Sequence, residues 1–187
     1  TVHAVGQVDG NHFLEMEFIA GRSLQQLIND EGPLTVPRAL SLIARTADGL
    51  AAAHRDDIIH RDVKPDNIML SRRGDPKISD FGLAKRVLNS KGRPVAEGLC
   101  GTPNYIAPEL VPGESASPSS DDYALGDTLF LALTGRLPYQ AESLQQLRWK
   151  GRNEPIPNVR RIRPDVPLEV AECVSMLTAP APGNRPR

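Results

Sequence analysis

The segment from Ile58 to Leu70, IIHRDVKPDNIML, is the stretch that decides how this chain is interpreted. Two apolar residues lead into a run in which seven of the eight residues from 60 to 67 are polar or proline. The chain then returns to apolar residues at 68–70. A loop so dense in charge, held between apolar anchors, indicates a chemical role and raises the question of which reaction it serves.

Four residues in and after this loop suit the transfer of a phosphoryl group. The transition state of that reaction spreads negative charge over phosphate oxygens, so the site needs metal ions, a cation and a group that orients the nucleophile. Asp62 is the predicted base and Lys64 the cation beside the transferred phosphate. Asn67 and Asp80 are the predicted metal ligands, because carboxylate and amide oxygens suit Mg²⁺. Each residue alone would equally suit an ordinary polar turn, and only the set carries the prediction.

Length and composition indicate one globular domain. The chain has 187 residues, 40% hydrophobic and 24% charged, and its 22 basic residues balance 23 acidic ones. This balance gives no argument for nucleic acid or an anionic membrane as partner. Two cysteines suit a reducing compartment and hence the cytoplasm, and no apolar run approaches the ~18–20 residues of a membrane span. The start at Thr1, inside a strand-like stretch, predicts a fragment.

Periodicity predicts a mainly helical body with a strand pair at its N-terminal edge. Strands are expected at 2–8, 12–18, 67–70 and 76–79, the first two joined by the Asp9-Gly10-Asn11 turn. Helices are expected at 23–28 with Ser23 as the cap, from 35 to 54–57, at 121–134 with Gly135 ending the helix, and at 144–149 and 167–177. Residues 83–106 are predicted to form a long surface loop. The segment 148–167 is predicted to be a solvated connector, with a basic docking patch as the alternative.

Three ordered motifs resemble the signature of eukaryotic-type protein kinases. Residues 60–67 resemble the catalytic loop, and Asp80-Phe81-Gly82 follows thirteen residues after Asn67 in the manner of the metal-binding motif. Ala107-Pro108-Glu109 closes a segment that resembles the activation loop. Lys64 and Gly101-Thr102-Pro103 resemble the serine/threonine branch, in which Thr102 would contact the catalytic Asp62. The overall pattern is most similar to that of bacterial eukaryotic-like kinases.

The resemblance implies an α+β, protein-kinase-like fold with a mainly α-helical C-lobe. Residues 1–22 would be the last N-lobe strands and the hinge, and residues 23–187 the C-lobe. It implies ATP with Mg²⁺, or alternatively Mn²⁺, and protein substrates, and it leaves a dimer of the longer form open. The residues implied to hold the nucleotide are Met16 as gatekeeper, Glu17 and Ile19 through their backbone, Ser23 near the ribose, Met69 under the adenine, and Lys64, Asn67 and Asp80.

Structural roles also follow from the resemblance. Asp121 would fasten the backbone of the catalytic loop, and Glu109 would form a buried ion pair with Arg185. A position in the hydrophobic core is the alternative role for Met69, and it is compatible with a contact to adenine. Two acids of the central helix, Asp122 and Asp127, stand where relatives carry apolar or aromatic residues. Either both face solvent or a partner, or this copy has drifted, because an unpaired buried carboxylate is expensive.

The largest departure from the kinase pattern is an absence. The 187 residues contain no glycine-rich loop, no strand lysine and no partner helix with its glutamate, so the chain alone is expected to bind ATP weakly and transfer phosphate negligibly. A pseudokinase that serves as a scaffold is therefore the alternative function. A small-molecule phosphotransferase of the aminoglycoside type would account for the Asp and Asn loop but not for the motifs at 101–103 and 107–109.

Regulation and substrate choice are predicted from the loop before residue 107. Between Ser90 and Thr102 there is no Ser, Thr or Tyr, so Glu97 is expected to give Arg61 a constitutive anion, or Ser90 is used instead. A flexible, unregulated loop is the alternative. Kinases of this family that prefer an arginine upstream of the target hydroxyl carry acidic residues at the positions that match Ser23 and Leu131. Neither residue is acidic here, which argues against a strong preference for arginine in the substrate. The apolar Leu99, Pro103 and Ile106 predict an apolar residue after the target hydroxyl.

Overall fold

The computed structural model describes residues 2–81, 103–110, 115–141 and 143–186. These residues form two small antiparallel sheets and five α-helices. The strands are β1 (Val2–Val8), β2 (Asn11–Met16), β3 (Gly21–Ser23), β4 (Ile68–Ser71) and β5 (Pro76–Ile78). The helices are α1 (Leu24–Glu31), α2 (Val36–Arg55), α3 (Pro118–Thr134), α4 (Leu144–Asn153) and α5 (Leu168–Leu177). The predicted α+β composition with a mainly helical body is confirmed.

The predicted N-terminal hairpin is present. Strands β1 and β2 pair antiparallel, with Val8 opposite Asn11. The two turn residues, Asp9 and Gly10, both have positive φ angles of 49° and 80°. Two successive residues with positive φ give the turn whose twist matches the right-handed twist of paired strands. The hairpin forms the upper wall of a cleft that is described below.

The second sheet contains one strand that periodicity does not predict. β3 pairs with β4, and β4 pairs with β5, so that three short strands lie side by side. Gly21 pairs with Ser71 and lies against the Leu70 carbonyl, where a Cβ would approach the oxygen to 1.7 Å. The glycine is therefore what permits this close strand contact.

Helix α1 begins directly after β3 through a reciprocal cap. The Ser23 hydroxyl accepts a hydrogen bond from the Gln26 backbone N–H at 3.1 Å. The Gln26 side chain accepts one from the Ser23 backbone N–H at 2.8 Å. This capping box satisfies two donors that a helix start would otherwise leave unpaired, and it confirms Ser23 as the predicted cap, although the helix continues to Glu31 instead of ending at Ile28.

Helix α3 is the centre of the core. Its residues are buried on every face, which explains why it lacks the one-sided apolar pattern of a surface helix. It begins at Pro118, three residues before the predicted start, because Ser117 and Ser120 form a second capping box. It ends as predicted at Gly135, which takes the left-handed conformation with φ 68°. Helices α2 and α5 both pack against it. No helix in the described part of the chain has the length and apolarity that a bilayer span requires.

The segment 148–167 is not the solvated connector that was expected. Helix α4 continues to Asn153, and three apolar side chains that follow it are buried, namely Ile156, Val159 and Val166. Arg163 donates to the Leu133 carbonyl at 3.0 Å and also to the Leu34 carbonyl. An arginine is suited to this role because its Nη1 atom alone carries two N–H donors, one for each carbonyl. The segment therefore closes the lower side of the core around α3.

The two unusual acids of α3 have different environments. Asp122 is half-buried, and burial raises the pKa of its carboxyl group. Asp127 is only 1% exposed, and its Oδ1 atom has no hydrogen-bond partner among the described residues. Burial raises the pKa of Asp127 well above its ordinary value, and the positive charge of Arg185 only partly offsets this. Asp127 therefore does not face solvent, and its environment favours the neutral carboxylic acid.

We expect replacement of Asp127 by asparagine to stabilise the chain at neutral pH by about 1 kcal/mol or more, because the amide is neutral in both states, whereas burial raises the pKa of the carboxyl group and each unit of such a rise costs about 1.4 kcal/mol. A carboxyl group whose folded-state pKa is raised contributes full stability below its unfolded pKa near 4 and loses it as pH rises through the folded pKa. The gain from Asp127→Asn should therefore vanish near pH 4 and grow towards neutrality. Urea unfolding at several pH values measures this, with Asp122→Asn as the half-buried control. A gain independent of pH would contradict a protonated Asp127.

Candidate active site

The catalytic-loop residues predicted from sequence lie together. Lys64 is followed by a 3₁₀ turn at Pro65–Asn67, which brings the Asn67 side chain back towards Asp62. The Asn67 Nδ2 atom donates to the Asp62 backbone carbonyl at 2.8 Å and to its Oδ2 atom at 3.0 Å. The Lys64 Nζ atom lies 2.8 Å from the same Oδ2. The Asp62 carboxylate is thus oriented by one amide and one cation from its own loop.

The first residues of this loop are hydrogen-bonded to α3. Asp121 is buried, and its Oδ2 accepts from the His60 backbone N–H at 2.8 Å, while its Oδ1 accepts from the Arg61 backbone N–H at 2.9 Å. Arg61 has a φ of 73°, a left-handed conformation that is rare for a residue with a long side chain. The two hydrogen bonds hold the backbone in that conformation, and they confirm the role predicted for Asp121.

His60 connects the catalytic loop to the residues before Gly82. It is fully buried; its Nδ1 accepts from the Asp62 backbone N–H at 3.2 Å, and its Nε2 lies 2.9 Å from the Ser79 carbonyl. Since a carbonyl can only accept, Nε2 carries the proton and the ring is neutral. The ring also packs on Phe81, with 4.6 Å between ring centroids. One side chain therefore contacts the loop that carries Asp62 and also Ser79 and Phe81.

The two predicted metal ligands are placed next to each other by strand pairing. The Asn67 carbonyl accepts from the Ser79 backbone N–H at 2.9 Å, which continues the β4–β5 ladder by one step. Asp80 therefore follows directly after the residue paired with Asn67, and its side chain is exposed with φ 61°. Because the Asn67 Nδ2 is bonded to Asp62, its Oδ1 is the atom left to act as a ligand.

The chemistry of this pair fits a hard divalent cation. Mg²⁺ prefers oxygen ligands and is held in nucleotide sites by one or two protein groups together with phosphates and water. One amide oxygen and one carboxylate match that pattern. In the described ranges there is no group of three or more His, Cys, Asp or Glu side chains that could hold a metal, which would be the pattern of a zinc site. The donors therefore suit Mg²⁺ or Mn²⁺ shared with a phosphate ligand.

A cleft of about 220 Å³ lies between the N-terminal hairpin and the end of β5. Three of the predicted nucleotide-contact residues, Met16, Glu17 and Ile19, line its upper side. Its lower side is formed by Ile78, Ser79, Asp80 and Phe81. The lining is mostly apolar and includes the acidic residues Glu17 and Asp80, as is usual for a small-molecule site with a few polar groups. The structure therefore brings the predicted hinge residues and Asp80 to one cleft.

An ion pair connects Glu17, one of the predicted hinge residues, to the lower side of this cleft. Lys77 on β5 contacts the Glu17 carboxylate directly. The hydrogen bond from Lys77 lowers the pKa of that exposed carboxyl group. The side chain of Glu17 is engaged in this pair. This agrees with the prediction that Glu17 contacts the nucleotide through its backbone and not through its carboxylate.

Other predicted nucleotide-contact residues are not in the lining of the 220 Å³ cleft. Met69 lies on β4, partly buried, and pairs with Ser23 and Lys77 across the sheet. The Ser23 hydroxyl is used in the cap of α1, and the residue is only 7% exposed. The structure thus gives Met69 and Ser23 structural roles. The contact of Met69 with adenine and that of Ser23 with ribose stay predictions.

Several predicted residues lie outside the described ranges. These are Gly82, Ser90, Glu97, Leu99 and the catalytic-set residue Thr102. After them, Pro103–Tyr105 forms a 3₁₀ turn, and Ile106 is partly buried. Glu109 of the Ala-Pro-Glu motif forms the predicted ion pair with Arg185, with Nη1–Oε1 and Nη2–Oε2 distances of 2.6 and 2.8 Å.

Sequence reasoning missed one residue of the site. His54, in the last turn of α2, has its Nε2 atom 2.8 Å from Asp121 Oδ2. The signal was available, because His54 follows the buried Leu50 by four residues and so continues the apolar face of α2. A polar side chain on an apolar face needs a buried partner.

Comparison with known proteins agrees with the geometry. The family model described as "Protein kinase domain" matches residues 2–185. The chain is 36% identical over 189 residues to the probable serine/threonine-protein kinase pknA2 of Bifidobacterium longum, covering 99% of this chain and 24% of that protein. It is 34% identical over 185 residues to the serine/threonine-protein kinase PrkC of Bacillus subtilis, covering 99% and 28%. It is 40% identical over 193 residues to the serine/threonine-protein kinase PknK of Mycobacterium tuberculosis, covering 100% and 17%.

The match extends along the whole chain, whereas the chain spans less than a third of the length of each of these relatives. The catalytic-loop cluster, its attachment to α3 and the cleft beneath the hairpin fall within the matched residues. The chain belongs to the protein kinase domain family.

Proposed function

We propose that this chain is the C-lobe, with the last N-lobe strands and the hinge, of a kinase that transfers the γ-phosphate of ATP to serine or threonine hydroxyls of proteins. Residues 1–22 are the strands and hinge, and residues 23–187 the C-lobe. The observation that carries the proposal is that Lys64 and Asn67 each lie within 3.0 Å of the Asp62 carboxylate, with Asn67 joined through Ser79 to Asp80. The location we propose for this domain is the cytoplasm.

In the proposed reaction, Asp62 accepts the proton of the attacking hydroxyl, since its carboxylate is held by Asn67 and Lys64 at the end of the loop. Lys64 then contacts the transferred phosphoryl group and offsets the charge that develops there. A bound Mg²⁺ would neutralise the phosphate oxygens. Asn67 Oδ1 and Asp80 are the ligands we assign to it, and Thr102 is assigned the contact with Asp62.

The nucleotide would lie in the cleft beneath the hairpin. The backbone of Glu17 and Ile19 is assigned the adenine edge, and Met16 the position at the back of the cleft. For the protein substrate, we propose an apolar residue after the target hydroxyl and no strong requirement for upstream arginine. The positions that would carry the acids of arginine-directed kinases are Ser23 and Leu131, and both are buried here.

The test compares phosphate transfer by two proteins. The first is the 187-residue chain, and the second, called the two-lobe protein, is a fusion in which the N-terminal lobe of a relative precedes Val2. With radiolabelled ATP and a mixed protein substrate, we expect the two-lobe protein to label serine and threonine but not tyrosine. The chain alone should be slower by at least about 100-fold, because the donors that hold the phosphates are missing. Comparable turnover by the chain alone would contradict this. A two-lobe protein that binds ATP without transferring phosphate would favour the pseudokinase scaffold.

A further inference from the structure

The segment from Arg148 to Arg163 concentrates positive charge. It contains six basic side chains and one acidic side chain, whereas the whole chain has 22 basic and 23 acidic residues. The remainder of the chain is therefore net acidic. A local excess of one sign of charge marks an interaction surface for a partner of the opposite sign, unless the charged groups are used within the fold.

Three of the six basic side chains are used within the fold. They donate to backbone carbonyls, and they are Lys150, Arg152 and Arg163. Arg160 and Arg161 differ from them. Both side chains are exposed, and neither has a hydrogen bond or an ion pair with any residue in the part of the chain that the structure describes. These two guanidinium groups are therefore available to a partner.

Arg160 and Arg161 border one concavity of about 400 Å³, together with Asn158 and Pro164. The two arginines lie on a 3₁₀ turn whose first residue, Val159, is 1% exposed and belongs to the core. The Asn158 Oδ1 atom accepts from the Arg160 backbone N–H at 2.9 Å. The backbone that carries both guanidinium groups is thus held in place before any partner binds, which lowers the entropic cost of binding.

The chemistry of this concavity fits carboxylates. A guanidinium group presents its N–H donors in a planar fork that matches the two oxygens of a carboxylate. Two such groups border the concavity, and none of its four described lining residues is acidic. Nucleic acid is a poorer fit, because a phosphate backbone is held by many cations along an extended surface and the remainder of this chain is net acidic.

The concavity is separated from the catalytic loop by most of the length of α3. Asp121, near the start of α3, holds the backbone of the catalytic loop. Arg163, two residues after the 3₁₀ turn, donates to the Leu133 carbonyl near the end of α3. The twelve residues between these two attachment points correspond to about 18 Å of helix. A segment bound at the concavity would therefore leave the catalytic loop open to another part of the same partner.

We propose that Arg160 and Arg161 form a docking site for an acidic segment, rich in Asp and Glu, of a protein substrate. Binding at this site raises the concentration of the attached target hydroxyl near Asp62. The effect on phosphate transfer rests on the proposed function. Binding of the acidic segment can be measured without ATP, so that a failure of either idea can be recognised separately.

The first test is the binding of a fluorescently labelled peptide of alternating Asp and Glu to the 187-residue chain, followed by anisotropy at low salt. The double variant Arg160→Gln, Arg161→Gln should bind roughly 3- to 30-fold more weakly, as expected for the loss of two exposed ion pairs. Added salt should weaken binding to the wild type, because it screens exposed charges. The matched control is Arg72→Gln, Arg73→Gln, which removes two consecutive exposed arginines from the β4–β5 turn and should bind within about twofold of wild type.

Four results would overturn the proposal: no binding to the wild type, equal losses in the two double variants, binding of a phosphorylated peptide but not of the carboxylate peptide, or tighter binding of an oligonucleotide of equal charge. The substituted side chains have no partner in the described ranges, so both double variants should unfold at the urea concentration of the wild type. If either does not, the amide chemical shifts of the wild-type chain decide. The peptide should move the amides of residues 158–164 and leave those of residues 71–75, and the reverse would contradict the proposal.

The second test measures phosphate transfer in the two-lobe protein. The substrate is a serine peptide joined to the acidic segment by about 20 Gly and Ser residues, whose mean span of roughly 25 Å covers the separation along α3. Its KM should be roughly 3- to 30-fold lower than that of the same peptide with a neutral segment, at an unchanged kcat, and Arg160→Gln, Arg161→Gln should remove this difference. Equal KM values for the two substrates in the wild type would overturn the docking role. Binding of the acidic peptide without phosphate transfer to either substrate would instead contradict the proposed function.

Discussion

Replacing Asp62 by asparagine is expected to lower kcat for phosphate transfer in the two-lobe protein by roughly 100- to 10,000-fold, the usual contribution of a positioned general base. The amide has the shape of the carboxylate and can still present an oxygen to Lys64 and Asn67, which lie 2.8 and 3.0 Å from Oδ2. It cannot accept the proton of the attacking hydroxyl. The KM for ATP should change little, because Asp62 is not among the residues that line the nucleotide cleft.

The matched control for this substitution is Asp66→Asn, the same chemical change four residues later in the same loop. Asp66 is exposed, with no hydrogen bond or ion pair to any residue of the described ranges, so its loss should leave kcat within about twofold of wild type. Initial rates of radiolabel transfer at saturating ATP measure both variants. Equal losses for the two variants would show that the loop needs negative charge in general, and would remove the assignment of Asp62 as the base.

The parts of the site that could be predicted from sequence are those encoded by short local patterns. The loop from His60 to Asn67 and the Asp80-Phe81 pair lie close in the chain, and the β4–β5 turn between them brings them together. The cap at Ser23 and the left-handed end of α3 at Gly135 depend on four or five residues each. Their conformations follow from hydrogen bonds and backbone sterics that neighbouring residues determine.

Contacts across long separations were harder to predict. His54 and Asp121 are 67 positions apart, and Arg163 and Leu34 are 129 apart. Nothing in the local sequence tells which carbonyl or carboxylate will face such a side chain. Asp121 and the Glu109–Arg185 pair were the exceptions, and they were predicted from the family resemblance and not from periodicity.

The burial of Asp127 is another property that the local sequence does not determine. An acid in an apolar helix can be predicted to be costly, but its exposure depends on what packs against α3. Burial raises the pKa of the phenol groups of Tyr105, Tyr123 and Tyr139, and a charge on Asp127 would raise each of them further. The surroundings of Asp127 are therefore set by residues from separate parts of the chain, which the local sequence of α3 does not reveal.

Breaking the ion pair between Glu109 and Arg185 is expected to have the largest effect on stability. The Arg185 guanidinium is fully buried, and besides both Glu109 oxygens it donates to the carbonyls of Ser119, Ala179 and Pro180 at 2.9, 2.8 and 3.1 Å. It also lies 4.9 Å from the centre of the Tyr123 ring. Five acceptors and one aromatic face thus depend on a single side chain that joins the C-terminal end of the chain to α3.

Arg185→Met should lower the free energy of unfolding by about 3–5 kcal/mol, because the Glu109 charge and three carbonyls lose their partner while the apolar volume is kept. Arg185→Lys should be intermediate, since an ammonium group cannot make the two parallel hydrogen bonds of the guanidinium fork. Urea unfolding of the 187-residue chain measures both. Arg38→Met is the control, because it breaks the exposed pair with Glu31 and should cost at most about 1 kcal/mol. If the two Met variants lost stability equally, burial would not be the reason that the Glu109–Arg185 pair matters.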